Sequence, residues 1–319
     1  MGKILVVGLT CVDLISYVQK YPVEDSDARV FDQRTSLGGN AANNLVVLTQ
    51  LEKQCKVPVE SSELFASVPL ENAMLDDLIR KTGIKLRRVN RSNSTLPIST
   101  VIVNEVTGTR TILHFRGNLP ELTVDEFAAE FPKLSEFSWI HFEGRNFDEV
   151  LRMIEYCREK RDPTKTKLSV ELEKVRPFPW YEKMAPLVDV LFVSKDFAKH
   201  LGELDALYFI FALRFFDNGN CGCWTARTLS THKHDCYRSV GRGVAARVGQ
   251  ENELLIQSAF SPERIQDTLA AGDTFIAAAL HCLNLQRPLN EVLRFACMVA
   301  GRKCGQRGLT DLNLSDLDF

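Results

Sequence analysis

One junction near the C-terminal end of the chain combines small residues with a carboxylate. Residues 267–280 read Asp-Thr-Leu-Ala-Ala-Gly-Asp-Thr-Phe-Ile-Ala-Ala-Ala-Leu, so Ala270, Ala271 and Gly272 deliver Asp273 to the start of an apolar helix. Small side chains let a ligand approach the backbone, and the free N–H groups of a first helical turn attract phosphate oxygens. The junction therefore indicates phosphoryl transfer. The alternative is that Asp273 only caps the helix, since Asp is a favoured N-cap residue.

A second junction lies in the N-terminal part of the chain. Residues 37–44 read Leu-Gly-Gly-Asn-Ala-Ala-Asn-Asn and precede an apolar run, so a turn at Gly39 opens a helix that carries Asn40 and Asn43 one turn apart. Each amide offers both donors and an acceptor, which matches sugar hydroxyls that give and receive hydrogen bonds. Capping explains Asn40 but does not require Asn43, so the pair predicts a polyhydroxyl ligand.

Alternating apolar segments predict the elements that position both junctions. Continuous apolar runs, which are typical of buried parallel strands, occupy residues 3–9, 139–142, 168–172 and 188–193. Helical patterns cover residues 40–51, 71–82, 147–160, 273–285 and 289–302. This alternation predicts an α/β fold with a doubly wound, mostly parallel Rossmann-like sheet, in which ligands lie at the carboxyl ends of the strands.

A separate small sheet is predicted beside the large one. Residues 98–104 and 109–115 are strand-like and joined at Thr107-Gly108, which indicates a hairpin, and further strand-like segments lie near 13–19 and 28–34. An exposed sheet needs its second face covered, so we expect a homodimer.

Several motifs together resemble one protein family. The Gly38-Gly39-Asn40 turn and the Asp267-Thr268 to Gly272-Asp273 motif are similar to the two signatures of the PfkB-type (ribokinase-like) carbohydrate kinases, and additional segments resemble its fructose-phosphorylating members. Those segments are Lys-Tyr-Pro (20–22) with Glu-Asp-Ser (24–26), Gly-Thr-Arg-Thr-Ile-Leu (108–113), Trp-Ile-His-Phe-Glu-Gly-Arg-Asn (139–146), Phe-Val-Ser-Lys-Asp (192–196) and Gly-Arg-Lys-Cys-Gly (301–305). The resemblance covers most of residues 3–204 and 243–309.

The resemblance implies one kinase domain over residues 1–319 with a β lid from about 13–35 and 96–118. In that family the lid covers the sugar site and mediates dimerisation. The implied activity is ATP-dependent phosphorylation of D-fructose to D-fructose 1-phosphate. Another sugar or nucleoside kinase of the family, or a catalytically weak sugar-binding protein, stays open as an alternative.

The resemblance also implies residue roles. Asp273 would accept the proton of the sugar hydroxyl, and the N–H groups of Ala270, Ala271 and Gly272 would stabilise charge on the γ-phosphate of ATP. The residues expected around the sugar are Asp13, Gly39, Asn40, Asn43, Asp273 and Arg145. Glu143 and Arg145 are expected to form an ion pair lining the cleft, and a purely structural pairing stays open as the alternative to ligand contact. For Asp13 and Arg110 the alternative is a solvent-exposed charge.

ATP would lie along the helix entrance, with Mg²⁺ bridging its phosphates. Arg110 on the lid hairpin would contact the transferring phosphate, and the nucleotide loop is assigned to Val240, Gly241, Arg242 and Gly243. The usual Asn/Glu motif that supports the metal is not clear, because Ser194 and Asp196 occupy the comparable strand end. Phosphates and water would therefore hold Mg²⁺, no protein residue is assigned as a metal ligand, and K⁺ is expected as a further ion.

The chain departs from the family pattern at two places. Ala270 stands where glycine is usual, and a positive φ there would strain the loop by roughly 1 kcal/mol. Residues 205–242 are atypical, as an insertion or a sequence error would produce. Their Cys-x-Cys and His-x-His spacing is not that of a standard zinc finger, so we expect no structural zinc at Cys221, Cys223, His232, His234 and Cys236.

Composition agrees with an ordinary globular enzyme. The 319 residues are 45% hydrophobic, enough for one large α/β domain with a small appendage. A formal net charge of −2 argues against nucleic-acid binding, which usually requires a basic surplus. Because no signal-peptide pattern and no run of about 18 apolar residues occurs, we expect no membrane partner and a cytoplasmic protein. The nine cysteines would then stay reduced.

Overall fold

The computed structural model describes residues 2–55, 60–175, 179–194, 196–197, 209–215, 243–248 and 253–314. Its strands, in chain order, are β1 (Lys3–Val7), β2 (Cys11–Val18), β3 (Asp32–Gly38), β4 (Glu63–Pro69), β5 (Lys85–Arg91), β6 (Ile98–Asn104), β7 (Arg110–Phe115), β8 (Phe137–Glu143), β9 (Lys167–Leu172), β10 (Val190–Ser194), β11 (Phe209–Phe215), β12 (Gly243–Val248) and β13 (Glu253–Ser258). The described helices are α1 (Asn40–Gln54), α2 (Ala73–Thr82), α3 (Val124–Glu130), α4 (Phe147–Lys160), α5 (Pro179–Met184), α6 (Ala271–Asn284) and α7 (Leu289–Cys304).

The large sheet has the order β13-β12-β11-β10-β9-β8-β1-β4-β5. From β5 to β10 every neighbouring pair is parallel, whereas β11 pairs antiparallel with β10 and β13 antiparallel with β12. The chain leaves β1 toward β4 on one side and later returns to β8 on the other. The predicted doubly wound sheet is confirmed, and its switch point, where such sheets open a ligand crevice, lies at the end of β1.

Helices cover both faces of this sheet. On one face α1, α2, α6 and α7 contribute to one apolar cluster, and on the other α3, α4 and α5 contribute to a second. Helix α6 is apolar almost all round, and its residues from Thr274 to Cys282 are buried, as expected for a helix inside a core. None of the helices in the described part of the chain has the length and apolar character that crossing a bilayer requires.

The predicted small sheet is present, with the order β3-β2-β6-β7. Strand β3 begins at Asp32, later than expected from residues 28–34. Its pairing with β2 runs from Asp32 opposite Tyr17 to Gly38 opposite Cys11, and it places Ser36 opposite Asp13. One face buries Ile15, Tyr17, Val101 and Val103, whereas the edge strand β7 is exposed along its whole length.

Two contacts fasten the small sheet to the large domain. Thr268 Oγ1 donates a hydrogen bond to the carbonyl of Gly108 in the hairpin turn at 2.7 Å. Beyond α7, the Arg307 guanidinium pairs with Asp32 at 3.0 Å and lies 4.6 Å from the centre of the Tyr17 ring. The small sheet is therefore held over the start of α6 rather than projecting freely.

Candidate active site

The turn over residues 38–43, called here the N-terminal turn, is packed too closely for side chains at its glycines. Gly39, the N-cap of α1, has φ 95°, and a Cβ there would lie 2.5 Å from the carbonyl oxygen of Leu9. A Cβ on Gly38 would lie 2.3 Å from the carboxyl carbon of Asp13. The absence of side chains thus lets the Asp13 carboxylate, at the start of β2, lie against the start of α1.

The turn over residues 267–273, called here the C-terminal turn, meets the N-terminal turn directly. Asn43 Nδ2 donates a hydrogen bond to Asp273 Oδ2 at 2.7 Å, although the two residues are far apart in sequence. Asp273 lies in the first turn of α6, whose N-cap is Ala270 and which has no side-chain cap. The capping interpretation of Asp273 is therefore wrong, because the helix begins earlier than the predicted residue 273.

The backbone of the C-terminal turn is held by a buried ion pair. Ala270 adopts the left-handed conformation with φ 58° and ψ 19°, which is the positive φ that makes alanine strained. Lys303 Nζ contacts Asp267 Oδ2 at 3.0 Å and its carbonyl oxygen at 2.8 Å, with both side chains fully buried. Asp267 Oδ1 accepts from the N–H of Leu269 at 2.8 Å. The ion pair therefore fixes the turn that presents residues 270–272.

The small sheet brings Arg110 to the same turn. Arg110, the first residue of β7, donates to Thr268 Oγ1 at 3.2 Å, and this hydroxyl also contacts Gly108. The structure thus places the predicted phosphate-contacting arginine beside the C-terminal turn, with its side chain exposed.

The amide of Asn40 is oriented by two glutamates that the sequence analysis did not single out. Asn40 Nδ2 donates to Glu171 Oε1 at 2.9 Å and to Glu173 Oε2 at 2.7 Å, at the end of β9. Since the amide nitrogens of Asn40 and Asn43 both bind carboxylates, their oxygens are left as acceptors. Together with Asp13 and Asp273, the site is rich in acceptors for hydroxyl donors.

Arg145 is engaged by carboxylates on two sides. It binds Glu121 through two hydrogen bonds of 2.9 and 2.7 Å, and its contact with Glu143 Oε1 at 3.2 Å confirms the predicted ion pair. Glu143 Oε2 also accepts from the N–H of Leu9 at 2.7 Å. Burial would lower the pKa of Arg145, but Glu143 and Glu121 outweigh it and raise the pKa. Arg145 lines a cleft at the ends of β1 and β8.

Two carboxyls in the site bind protons more tightly than usual. Burial raises the pKa of Asp13. Burial, and after it the negative charge of Glu171, raises the pKa of Asp273 well above its ordinary value. A carboxylate with a raised pKa is a stronger proton acceptor, which suits a group that must take a proton from a hydroxyl.

Only Gly243 of the assigned nucleotide loop lies within the described residues. Val240, Gly241 and Arg242 lie outside the described residues, as do the cysteines and histidines between 221 and 236. Gly243 begins β12 and pairs with Ser258 of β13. At the end of β10, Ser194 Oγ donates to the carbonyl of Glu173 and accepts from the N–H of Phe197. Ser194 therefore links the segments that follow β9 and β10. Among the described residues, no group of at least three His, Cys, Asp or Glu side chains converges to hold a metal ion.

The site thus combines a doubly wound sheet, two helix starts that meet at the half-buried Asp273 carboxylate, and a small sheet docked on one of them. The family model for pfkB family carbohydrate kinases matches residues 1–205 and 241–316. The chain belongs to this family.

Individual relatives agree with that assignment. Ketohexokinase from Mus musculus is 37% identical over 317 residues, which cover 96% of this chain and 97% of that protein. A ribokinase from Giardia lamblia has the same fold, with a TM-score of 0.72 at 16% identity over 97% of this chain and 95% of the other. An adenosine kinase from Sinorhizobium meliloti gives 0.67 at 16% identity, again over 97% and 95%. The expected family and the expected class, an enzyme that phosphorylates carbohydrates, are confirmed.

Proposed function

We propose that this kinase phosphorylates D-fructose at its 1-hydroxyl with ATP as the donor, over a single domain of residues 1–319. The contact between Asn43 and Asp273 carries the proposal, because it brings a sugar-binding type of side chain to a carboxylate at a phosphate-binding helix start. The similarity to ketohexokinase supports fructose as the sugar.

In the proposed reaction the proton of the sugar hydroxyl passes to the Asp273 carboxylate. The sugar oxygen forms a bond to the γ-phosphorus as the bond to the departing ADP breaks. The N–H groups of Ala270, Ala271 and Gly272 stabilise charge on the phosphoryl group, and Arg110 on the docked lid adds a cation beside them. The raised pKa of Asp273 favours the transfer of the hydroxyl proton to its carboxylate.

The sugar lies between the N-terminal turn and Asp273 in this proposal. Asp13 accepts from its hydroxyls, as do the amide oxygens of Asn40 and Asn43, and the backbone of Gly39 lies beside them. Arg145, held by Glu143 and Glu121, contacts the sugar at the edge of the cleft. An acceptor-rich site suits a polyol, whose hydroxyls all carry donor protons.

ATP enters along the start of α6 toward Val240, Gly241, Arg242 and Gly243. Mg²⁺ supplies charge neutralisation between the phosphates and is held by phosphate oxygens and water, as its hydration preference allows. K⁺ is proposed as an activating ion. We also propose that the protein is cytoplasmic and forms a homodimer through the lid, where Ile112, Leu113 and Phe115 are 47%, 61% and 62% exposed.

The test of substrate class is a coupled ADP-release assay with fructose, tagatose, ribose and adenosine. We expect the highest kcat/KM with fructose. A ribose or nucleoside kinase is the second candidate, favoured by the fold shared with ribokinase and adenosine kinase. A catalytically weak sugar-binding protein is the third, favoured by the strained Ala270, and binding without turnover would support it.

Asp273→Asn tests the base. We expect kcat to fall by about 10² or more while fructose and ATP still bind in calorimetry, because the amide cannot accept the proton. Asp148→Asn is the matched control, since Asp148 also lies in the first turn of a helix but outside this site. An Asp273→Asn enzyme with nearly normal kcat would remove Asp273 from the mechanism.

A further inference from the structure

A second carboxyl, Glu171, and the proposed base, Asp273, are bound by Asn40 and Asn43, two amides in the first turn of α1. Glu171 lies next to the last residue of β9 with only 2% of the residue exposed, and Oε1 accepts the hydrogen bond from Asn40 Nδ2 at 2.9 Å. Glu173, two residues later, accepts from the same amide at 2.7 Å but is exposed to solvent. The two glutamates therefore share one hydrogen-bond donor and differ in burial.

A chain of buried groups ends beside the other oxygen of Glu171. Trp139 Nε1 can only donate, and it donates to Ser169 Oγ at 2.7 Å. Ser169 Oγ lies 2.8 Å from His141 Nδ1, and we assign its hydroxyl proton to that contact. Burial lowers the pKa of His141 to about 3, so the ring is neutral and its single proton is then on Nε2.

His141 Nε2 faces Glu171 across a gap that is too wide for a hydrogen bond. The two atoms, Nε2 and Oε2, are 3.8 Å apart, and within the described chain neither has a hydrogen-bond partner. Burial, and after it the negative charge of Glu143, raises the pKa of Glu171 well above its ordinary value, whereas the hydrogen bond from Asn40 acts in the opposite direction. The hydrogen bond from Asn40 therefore orients Glu171, and His141 lies beside its second oxygen without a hydrogen bond.

The surroundings of Asp273 explain why Glu171 matters. Asn43 reaches Asp273 from α1, and the carboxyls of Glu143 at the end of β8, Glu171 in β9 and Glu173 just after β9 act on it through space. Lys303 on α7 is paired with Asp267. A buried charge is screened far less than an exposed one, so Glu171 acts more strongly than Glu173.

We propose that Glu171 is a positioning residue of this kinase, acting through space to keep the Asp273 carboxylate a strong base and through Asn40 to direct an amide oxygen at the sugar. The inference rests on the proposed role of Asp273. Two carboxyls that interact compete for protons, so the acid limb of the activity profile belongs to the pair. A neutral residue at position 171 leaves Asp273 to ionise alone, and therefore at lower pH.

The pH dependence of kcat and of kcat/KM for fructose is measured for the wild type, Glu171→Gln and Glu173→Gln. We expect the acid limb to move to lower pH by about 1 unit in Glu171→Gln, the size of a close charge effect, with a several-fold lower kcat on the plateau. Glu173→Gln should raise KM for fructose but leave the acid limb within about 0.3 units, because its charge is screened.

A purely structural role would change stability or KM and leave the acid limb where it is. If Glu171→Gln does not fold, Glu171→Met supplies a neutral side chain of similar length for the same profile. An acid limb that coincides with the wild type in the folded variant overturns the inference, and so does an equal shift in Glu173→Gln.

Asp273→Asn separates the two proposals. If that variant keeps its kcat, the base assignment and this inference both fail. If Asp273→Asn loses kcat as expected while the neutral variants at position 171 keep the wild-type acid limb, only this inference fails.

Discussion

Gly39 in the N-terminal turn and Ala270 in the C-terminal turn both have positive φ angles, 95° and 58°, where a helix begins. Around Gly39 the backbone of Leu9 approaches to 2.5 Å of the position a Cβ would take. The turn that contains Ala270 is held by the Asp267–Lys303 ion pair and by a hydrogen bond to the lid, and it accommodates the alanine methyl group. A positive φ by itself therefore does not demand glycine here, whereas a close backbone neighbour does.

The largest effect is expected from removing the ion pair that supports the C-terminal turn. Lys303→Met leaves the Asp267 carboxylate buried without its cation, and we expect a loss of about 3–5 kcal/mol in the free energy of unfolding. Urea denaturation measures it. Arg302→Met is the control, since the neighbouring Arg302 is partly exposed and binds the carbonyl of Asn313, and it should cost well under half as much. Equal losses would mean that the buried pair does not support the turn.

A side chain added to the N-terminal turn should have the next largest effect. Gly39→Ala adds a backbone strain and a clash with Leu9, so we expect a loss of about 3 kcal/mol. Gly308→Ala is the control that measures the cost of backbone strain without a clash, because Gly308 has φ 80° and no atom lies within 4 Å of its Cβ position. That control should lose about 1–2 kcal/mol in the same urea experiment. A Gly39→Ala variant no less stable than Gly308→Ala would refute the role of close packing.

The smallest effect should come from restoring glycine in the C-terminal turn. Ala270→Gly relieves a left-handed alanine but adds chain entropy to the unfolded state, and we expect a net gain of about 0.5–1 kcal/mol with kcat preserved or raised. Ala271→Gly should have the opposite sign, since Ala271 is the first helical residue of α6. A large loss of kcat in Ala270→Gly would show that the methyl group itself holds the phosphate-binding turn.

Much of the fold could be predicted because it is periodic in sequence. Helix α4 was expected over residues 147–160 and is found at Phe147–Lys160, and the hairpin strand β6 also has its predicted bounds. Strand β5 was missed, since it reads Lys-Leu-Arg-Arg-Val-Asn-Arg and its charges pair with residues from other elements, as Arg91 does with Glu126. A charged edge strand carries little of the alternation on which such a prediction depends.

Sequence motifs predicted the site residues that lie in the two local turns. They did not predict the contacts that elements distant in sequence make with those turns. Glu171 and Glu173 end a predicted buried strand, a position where ligand-contacting residues are common, and that was the available signal. Their partner Asn40 lies 131 residues away from Glu171, so the contact depends on which strand β9 lies beside. Sequence motifs likewise contained Lys303 without indicating that it binds Asp267.

The sequence by itself determined the types of turn and the helices they open, because backbone conformation depends on neighbouring residues such as Gly38 and Gly39. It also determined which side chains were present for chemistry. The tertiary structure decided that Asn43 meets Asp273, that Asn40 turns its nitrogen to Glu171, and that Asp273 is not a cap. Those outcomes follow from the strand order of a doubly wound sheet, which brings together segments whose separation along the chain leaves no local trace.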